Sequence, residues 1–289
     1  MNNDYRKFLL EGERAGMRHS LAVPRTTAAA LAGLQMGVRA GSSLEFKDHR
    51  DYQPGDDLRR IDWNAFARSD KLTIKLYREE ISPHLDLVID SSRSMAVEPG
   101  AKAQAAVALS AALAVAAENA GYSHTVWLAR ESCEPVGNSS RRPSVWDDFK
   151  FDFRENPAES FSRVPPKLGR QGMRIFISDL LWLGEPLQLL QQLSQNAASV
   201  VVIQLLAEAD IAPPERGRLR LIDSESEEQR EIFIDEAAIS RYRDALSRHQ
   251  QNWHRACRQI GAALVEMVAE PTLSTWNLEA LVKADILKS

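Results

Sequence analysis

Cysteine is scarce in this sequence: Cys133 and Cys257 stand far apart, and neither has metal-ligand or disulfide spacing around it. A disulfide-stapled scaffold is excluded, and a reducing cytoplasm is the simplest compartment. No sign of charge dominates, because 36 Lys plus Arg against 40 Asp plus Glu leave a formal net charge of -4. That balance gives no global attraction to nucleic acid or to an anionic membrane. Long apolar runs are also missing. Residues 1–16 interleave charged and apolar positions and lack the continuous apolar stretch of a secretory signal. The Ala-rich segment 103–117 is bounded by Lys102 and Glu118 and falls short of a membrane span, so it is expected as a helix buried against a sheet. A Gly-x-x-x-x-Gly-Lys loop is absent, which excludes P-loop nucleotide binding.

What is present is enough for a packed core: 289 residues, 44% hydrophobic and 26% charged. From residue 84 onward, short runs rich in Val, Ile and Leu alternate with helical stretches. Strands are expected at residues 85–89, 122–128, 173–177, 199–206 and 262–268, and helices at 101–119, 186–195, 239–260 and 274–284. Strands so poor in polar alternation read as covered on both faces, so a doubly wound α/β fold with a mainly parallel sheet is expected. Residues 131–172 read as loops around a short helix, and 217–235 as a β-hairpin insertion. The first 83 residues differ in texture: an amphipathic helix near 5–17, a second apolar stretch near 28–38, then interleaved opposite charges over 44–80. The expected division is an N-terminal extension, 1–83, packing on a core domain, 84–289.

The residues richest in chemistry are Asp90, Ser92 and Ser94, in the run Leu-Val-Ile-Asp-Ser-Ser-Arg-Ser-Met. They follow an expected strand and so lie at its carboxyl end, the edge where open α/β sheets bind ligands. A second expected strand runs in the same way into Ser178 and Asp179. If the two are parallel, Asp90 and Asp179 emerge on one edge. Two carboxylates and two hydroxyls make an all-oxygen set suited to a hard cation such as Mg2+ or Mn2+. Such an ion keeps a position open to a partner's oxygen, which is binding chemistry with no bond broken. The bland reading is that Asp90 and the serines only cap the next helix.

Asp90-Ser91-Ser92-Arg93-Ser94 resembles the Asp-x-Ser-x-Ser signature of the metal-ion-dependent adhesion site in von Willebrand factor type A domains, and Ile177-Ser178-Asp179 is similar to that fold's later metal-loop aspartate. A longer segment resembles the hallmark of a bacterial family of uncharacterised von Willebrand type A proteins encoded beside MoxR-type AAA+ ATPases. It comprises Glu45-Phe46, Arg50-Asp51-Tyr52, Pro54-Gly55-Asp56-Asp57, Arg59 to Trp63 and Ala67-Arg68. The resemblance implies metal held by Asp90, Ser92, Ser94 and Asp179. It also implies a non-catalytic, cytoplasmic protein-binding module, an adaptor or co-chaperone that serves a MoxR-type ATPase and a client protein during complex assembly. There is one departure. The adhesion site usually takes a Thr from a middle loop, yet none lies between Thr125 and Thr272, which leaves Ser140, Ser144, Ser160 or Ser162 as substitutes and implies weaker metal binding.

Two further readings stand beside this one. Arg50, Tyr52, Asp56, Asp57, Arg60, Asp62, Trp63 and Arg68 describe either an ion-pair lattice that braces the N-terminal segment or a second partner surface. The alternative function is a metal-dependent hydrolase of phosphate or ester substrates, since a bound ion also activates water. Neither a Gly-x-Ser-x-Gly elbow nor a motif-linked His supports a nucleophile. His249, His254 and Cys257 sit at helical steps of five and three, which scatter them over more than one face, so zinc is not expected there.

Overall fold

The computed structural model describes residues 5–22, 46–77, 83–97, 100–164, 166–169, 171–212, 216–224 and 228–288. The apolar stretch expected at 28–38 and Glu45 of the charged motif lie outside them. The chain divides into a larger unit, Met1–Pro24 with Pro83–Ser289, and a smaller one, Arg25–Ser82. The segment 1–83 is therefore shared between the two units.

In the larger unit, helix α1 (Arg6–Gly16) is followed by the short strand β1 (Ser20–Leu21). The smaller unit holds β2 (Phe46–Asp51), a 3-10 turn at Leu58–Arg60, α2 (Trp63–Ser69) and β3 (Thr73–Tyr77), with β2 and β3 antiparallel. The larger unit resumes with β4 (His84–Asp90), α3 (Ala101–Asn119), β5 (Ser123–Ala129), β6 (Cys133–Pro135) and α4 (Pro157–Arg163). It continues with β7 (Met173–Ser178), α5 (Pro186–Ser194), β8 (Ser199–Leu206) and the single turn α6 (Glu208–Ile211). Last come the hairpin β9 (Gly217–Ile222) and β10 (Gln229–Ile234), α7 (Glu236–Ile260), β11 (Ala263–Val268), α8 (Ala269–Thr275), α9 (Glu279–Lys283) and β12 (Leu287–Lys288).

Six of these strands form the central sheet in the order β11-β8-β7-β4-β5-β6. All its pairings are parallel except β5 with β6, so the fold is α/β with a mostly parallel sheet. Chain order runs outward in both directions from the central pair β4 and β7. The strands alternate between two apolar layers. Leu85, Leu87, Ile89, Ile175, Ile177, Val201 and Ile203 join one cluster with α3, while Val88, Phe176, Val200 and Val202 join another with Leu189, Leu190, Leu193 and Trp253. Both faces are thus dry, which is why these strands carry apolar residues at successive positions.

Helix α3 is buried on all sides, from Ala101 through Ala117 apart from Gln104. Its outer side is covered by α1, whose Gly12 and Gly16 bring the two backbones close. A Cβ built on Gly12 would collide with the Ala108 carbonyl oxygen, and one on Gly16 with that of Ala112. Among the described residues, α3 is long and apolar enough to cross a membrane by length and composition alone, and 89% of that window is buried inside the protein.

Two expectations are corrected. The helix expected at 274–284 is two helices, because Trp276 takes a left-handed conformation (φ 52°) that ends α8, and the Asn277 side chain then accepts from the Glu279 N–H. The loop region 131–172 holds, besides its short helix α4, the antiparallel edge strand β6, which is three residues long and ends in a proline tolerated only at a sheet edge.

Candidate functional site

Strand β4 ends at Asp90 and β7 at Ser178, and the two strands are parallel neighbours in register from Leu85 with Met173 to Ile89 with Ile177. Asp90 and Asp179 therefore leave the sheet at its carboxyl edge, at the point where strand order turns outward in both directions. Such a point lacks a crossover helix of its own and leaves a crevice.

Asp90 is fully buried, and both its oxygens are engaged. Oδ1 accepts from the Ser92 N–H at 2.8 Å and Oδ2 from the Ser178 hydroxyl at 2.6 Å. Burial, followed by the charge of neighbouring Asp179, pushes the Asp90 carboxyl up to about 7, against the pull of the Ser178 and Ser92 hydrogen bonds. Ser91 turns away, donating to the Ala129 carbonyl on β5, so the intervening residue of the motif is structural. Ser92 and Ser94 face one another, with their hydroxyl oxygens 2.9 Å apart. The loop is held from outside by Phe153, whose carbonyl accepts from the Arg93 N–H and whose N–H donates to the Ser91 carbonyl.

Asp179 is 1% exposed. Its Oδ1 accepts from the Leu181 N–H at 3.1 Å, its main-chain oxygen accepts from Gln204 Nε2 at 3.1 Å, and its Oδ2 takes a 2.8 Å hydrogen bond from Lys102 Nζ. The next residue, Leu180, is held in the left-handed region (φ 59°), and its carbonyl lies 2.6 Å from His249 Nε2 on α7. All four expected ligands are thus brought to one edge. They sit beneath the surface rather than in an open pocket, since Asp90, Ser92 and Asp179 are all buried.

The donor set is hard oxygen throughout, and a cation would offset both the burial and the Asp179 charge that raise Asp90. Asp90, Ser92 and Ser94 suit such an ion, whereas Asp179 already shares an oxygen with an ammonium. Among the described residues no group of three or more His, Cys, Asp or Glu is placed to hold a metal ion. The four serines considered for the middle-loop position have other environments. Ser140 is exposed, the Ser144 N–H donates to Glu13, the Ser160 hydroxyl is buried without a hydrogen-bond partner, and Ser162 donates to the Ala158 carbonyl.

Sequence reasoning missed Lys102, Asp210 and Gln204, and it weighed His249 only as a zinc ligand. Lys102 offered one signal, a cation in the first turn of an apolar helix, where the macrodipole disfavours it. Such a lysine needs anions close by. Gln204 lies on β8, Asp210 in the turn α6 and His249 on the distant helix α7, and no spacing rule links them to Asp90.

The charged motif forms a separate network within the smaller unit. Arg50 pairs with Asp56 at 2.8 Å, and Asp56 also accepts from the Gln53 N–H. Asp57 accepts from the Arg59 N–H at the start of the 3-10 turn. Asp62 caps α2 through the Asn64 and Ala65 N–H groups. His49 and Lys75 reach the same carboxylate at 2.7 and 3.6 Å. Arg68 donates to the Asn64 carbonyl of its own helix, and Tyr52 uses its N–H on Leu72. The three aspartates thus serve capping and pairing. Trp63, by contrast, is 62% exposed. The Arg60 side chain lies outside the described residues. His249, His254 and Cys257 do not converge: His249 meets Leu180, His254 pairs with Glu266, and Cys257 is buried in an apolar layer.

These observations define a class: a mostly parallel α/β protein with an oxygen-rich site at the carboxyl edge of its sheet. The chain belongs to the DUF58 family, described as proteins of unknown function, whose family model matches residues 48–252. It is 26% identical over 261 residues to the uncharacterized proteins Mb1516 of Mycobacterium bovis and Rv1480 of Mycobacterium tuberculosis, covering 86% of this chain and 81% of each relative. Among solved structures it is similar to the conserved hypothetical protein BatB of Bacteroides thetaiotaomicron, at 10% identity and a TM-score of 0.34, over 70% of this chain and 98% of that one. It is also similar to an aerotolerance-related membrane protein of Bacteroides fragilis, at 12% identity and a TM-score of 0.35, over 70% and 99%. Likenesses this shallow bear on neither fold nor function.

Proposed function

We propose that this chain is a von Willebrand type A-like, non-catalytic protein-binding module. Its edge site at Asp90, Ser92, Ser94 and Asp179 takes Mg2+ or Mn2+ and engages a carboxylate of a client protein. The observation that carries the reading is the meeting of two buried carboxylates and the Ser92, Ser94 and Ser178 hydroxyls at the point where strand order reverses. The mostly parallel sheet, covered by apolar layers on both faces, supports the doubly wound fold that this reading needs.

When bound, a hard divalent ion supplies a coordination position that a partner's oxygen can fill. The chain's own residues do the rest. Ser178 and the Ser92 N–H fix the Asp90 carboxylate from both sides, and the Ser92 and Ser94 hydroxyls lie side by side in the same loop. Exposed Val97, Leu181 and Leu183, in the loops that follow Asp90 and Asp179, give a docking partner apolar contact. The partnership with a MoxR-type AAA+ ATPase, in the cytoplasm and in the service of complex assembly, rests on the resemblance of the Arg50 to Arg68 segment. The exposed Trp63 on that segment suits a second contact.

Calorimetric titration of Mg2+ and Mn2+ into wild type, Asp90→Ala and Asp179→Ala tests the site. Wild type should give saturable heat that Asp90→Ala lacks, and identical heats for all three would remove the metal from the reading. A pull-down with and without EDTA tests the partner: an AAA+ ATPase captured only without chelator is the expected result.

A further inference from the structure

Lys102 is the second residue of α3, at the end of the helix where a cation is disfavoured. Its side chain is nonetheless 7% exposed, with Nζ 2.8 Å from Asp179 Oδ2 and 3.1 Å from Asp210 Oδ2. Two carboxylates within ion-pair distance thus hold the ammonium on the buried side of the helix end. Both carboxylates are themselves held. Asp210 accepts from the Ala207 N–H at 2.8 Å, and Asp179 from the Leu181 N–H at 3.1 Å. The ammonium therefore links the loop after β7 to the turn after β8, and it occupies the Asp179 oxygen that faces it.

We propose that Lys102 is a resident counter-cation of the edge site, competing with a divalent ion for Asp179 and thereby setting the site's metal affinity. This rests on the reading of Asp90, Ser92, Ser94 and Asp179 as a metal site. The reasoning is Coulombic. A second cation at Asp90 meets a fixed positive charge inside a region shielded from water, where like charges repel strongly. The Asp179 charge, which would otherwise attract the ion, is partly offset by the ammonium. Asp210 gives the ammonium an alternative anion, so the competition is adjustable rather than absolute.

The test titrates Mn2+ into wild type, Lys102→Met, Lys102→Arg and the double variant Lys102→Met with Asp90→Ala, following loss of the free-ion signal by electron paramagnetic resonance. Lys102→Met should bind about tenfold or more tightly than wild type, the scale on which groups behind metal ligands act. Lys102→Arg, which keeps the charge, should match wild type, and Asp90→Ala should abolish the gain. Equal or weaker binding by Lys102→Met overturns the competition, and Asp90-dependent binding by wild type would still uphold the metal site. Absence of Mn2+ binding in every protein overturns both. If Lys102→Met unfolds without the ion, melting in EDTA and in Mn2+ decides: recovery by Mn2+ supports the proposal, and a melt indifferent to Mn2+ overturns it.

Discussion

Ser178 donates a 2.6 Å hydrogen bond to Asp90 Oδ2, joining the last residues of the two central strands across the edge of the sheet. Both residues are fully buried, so the bond closes the crevice at its floor and orients the carboxylate toward the Ser92 loop. Ser178 Oγ also accepts from the Leu180 N–H at 2.9 Å, which ties the same hydroxyl to the loop that carries Asp179.

Removing that hydroxyl leaves a buried carboxylate oxygen and a buried N–H short of a partner. Ser178→Ala should therefore cost about 2 kcal/mol or more, since unsatisfied buried groups carry their full desolvation penalty. Denaturant unfolding checks this. A loss below about 0.5 kcal/mol, within the range of an ordinary surface change, would mean that water replaces the hydroxyl and enters the crevice.

The Asp90 carboxyl, pushed up to about 7 by burial first and by Asp179 second, gives a pH dependence of definite sign. Between its ordinary value of 3.8 and about 7, the folded chain holds a proton that the unfolded chain has released. The contribution is full below the ordinary value and is lost as pH rises through about 7. In EDTA, wild type should lose stability across that window, while Asp90→Asn should lose less and be the more stable protein above it. Parallel pH profiles for the two proteins would show that Asp90 titrates alike in both states.

Helix α1 offers a test in which two effects oppose. Replacing Gly12 by Ala favours helix by about 1 kcal/mol from propensity alone. The added methyl, however, collides with the Ala108 carbonyl, in a contact made of backbone that cannot swing aside. Overpacking of that kind costs about 1–3 kcal/mol, so Gly12→Ala should be net destabilising. A thermal melt of the variant at or above that of wild type would show that α1 slides freely on α3.

The central strands were legible because burial on both faces leaves them as runs of Val, Ile and Leu. Residues 199–206 and 101–119 have the observed boundaries, and the Asp90 and Asp179 strand ends follow from the same pattern. What escaped had a physical reason each time. The strand Cys133–Pro135 is too short to show a period, and the break at Trp276 depends on one residue's left-handed backbone. Lys102 looked like the polar boundary of an apolar segment, because its anions, Asp179 and Asp210, arrive from loops far along the chain. Local pattern carries the fold's framework. The charge balance of the site depends on which loops meet.

Among the described residues of the smaller unit, Ile61 and Ile74 are the buried hydrophobics, and α2 buries none. Asp62 ties the described elements of this unit together, since it caps α2 and gathers His49 and Lys75 from the two strands. The hydrogen bond with His49, followed by that from the Ala65 N–H, holds the Asp62 carboxyl down at about 2. A lowered value has the opposite sign to that of Asp90. The contribution is present above 3.8 and is lost as pH falls through about 2. Hydrogen exchange at the amides of α2 should show protection fading over that interval. At neutral pH, protection should fall in the order wild type, Asp62→Asn, Asp62→Ala, because Asn keeps the cap but loses the charge. Equal protection in all three would place the stability of this unit elsewhere than in its charged motif.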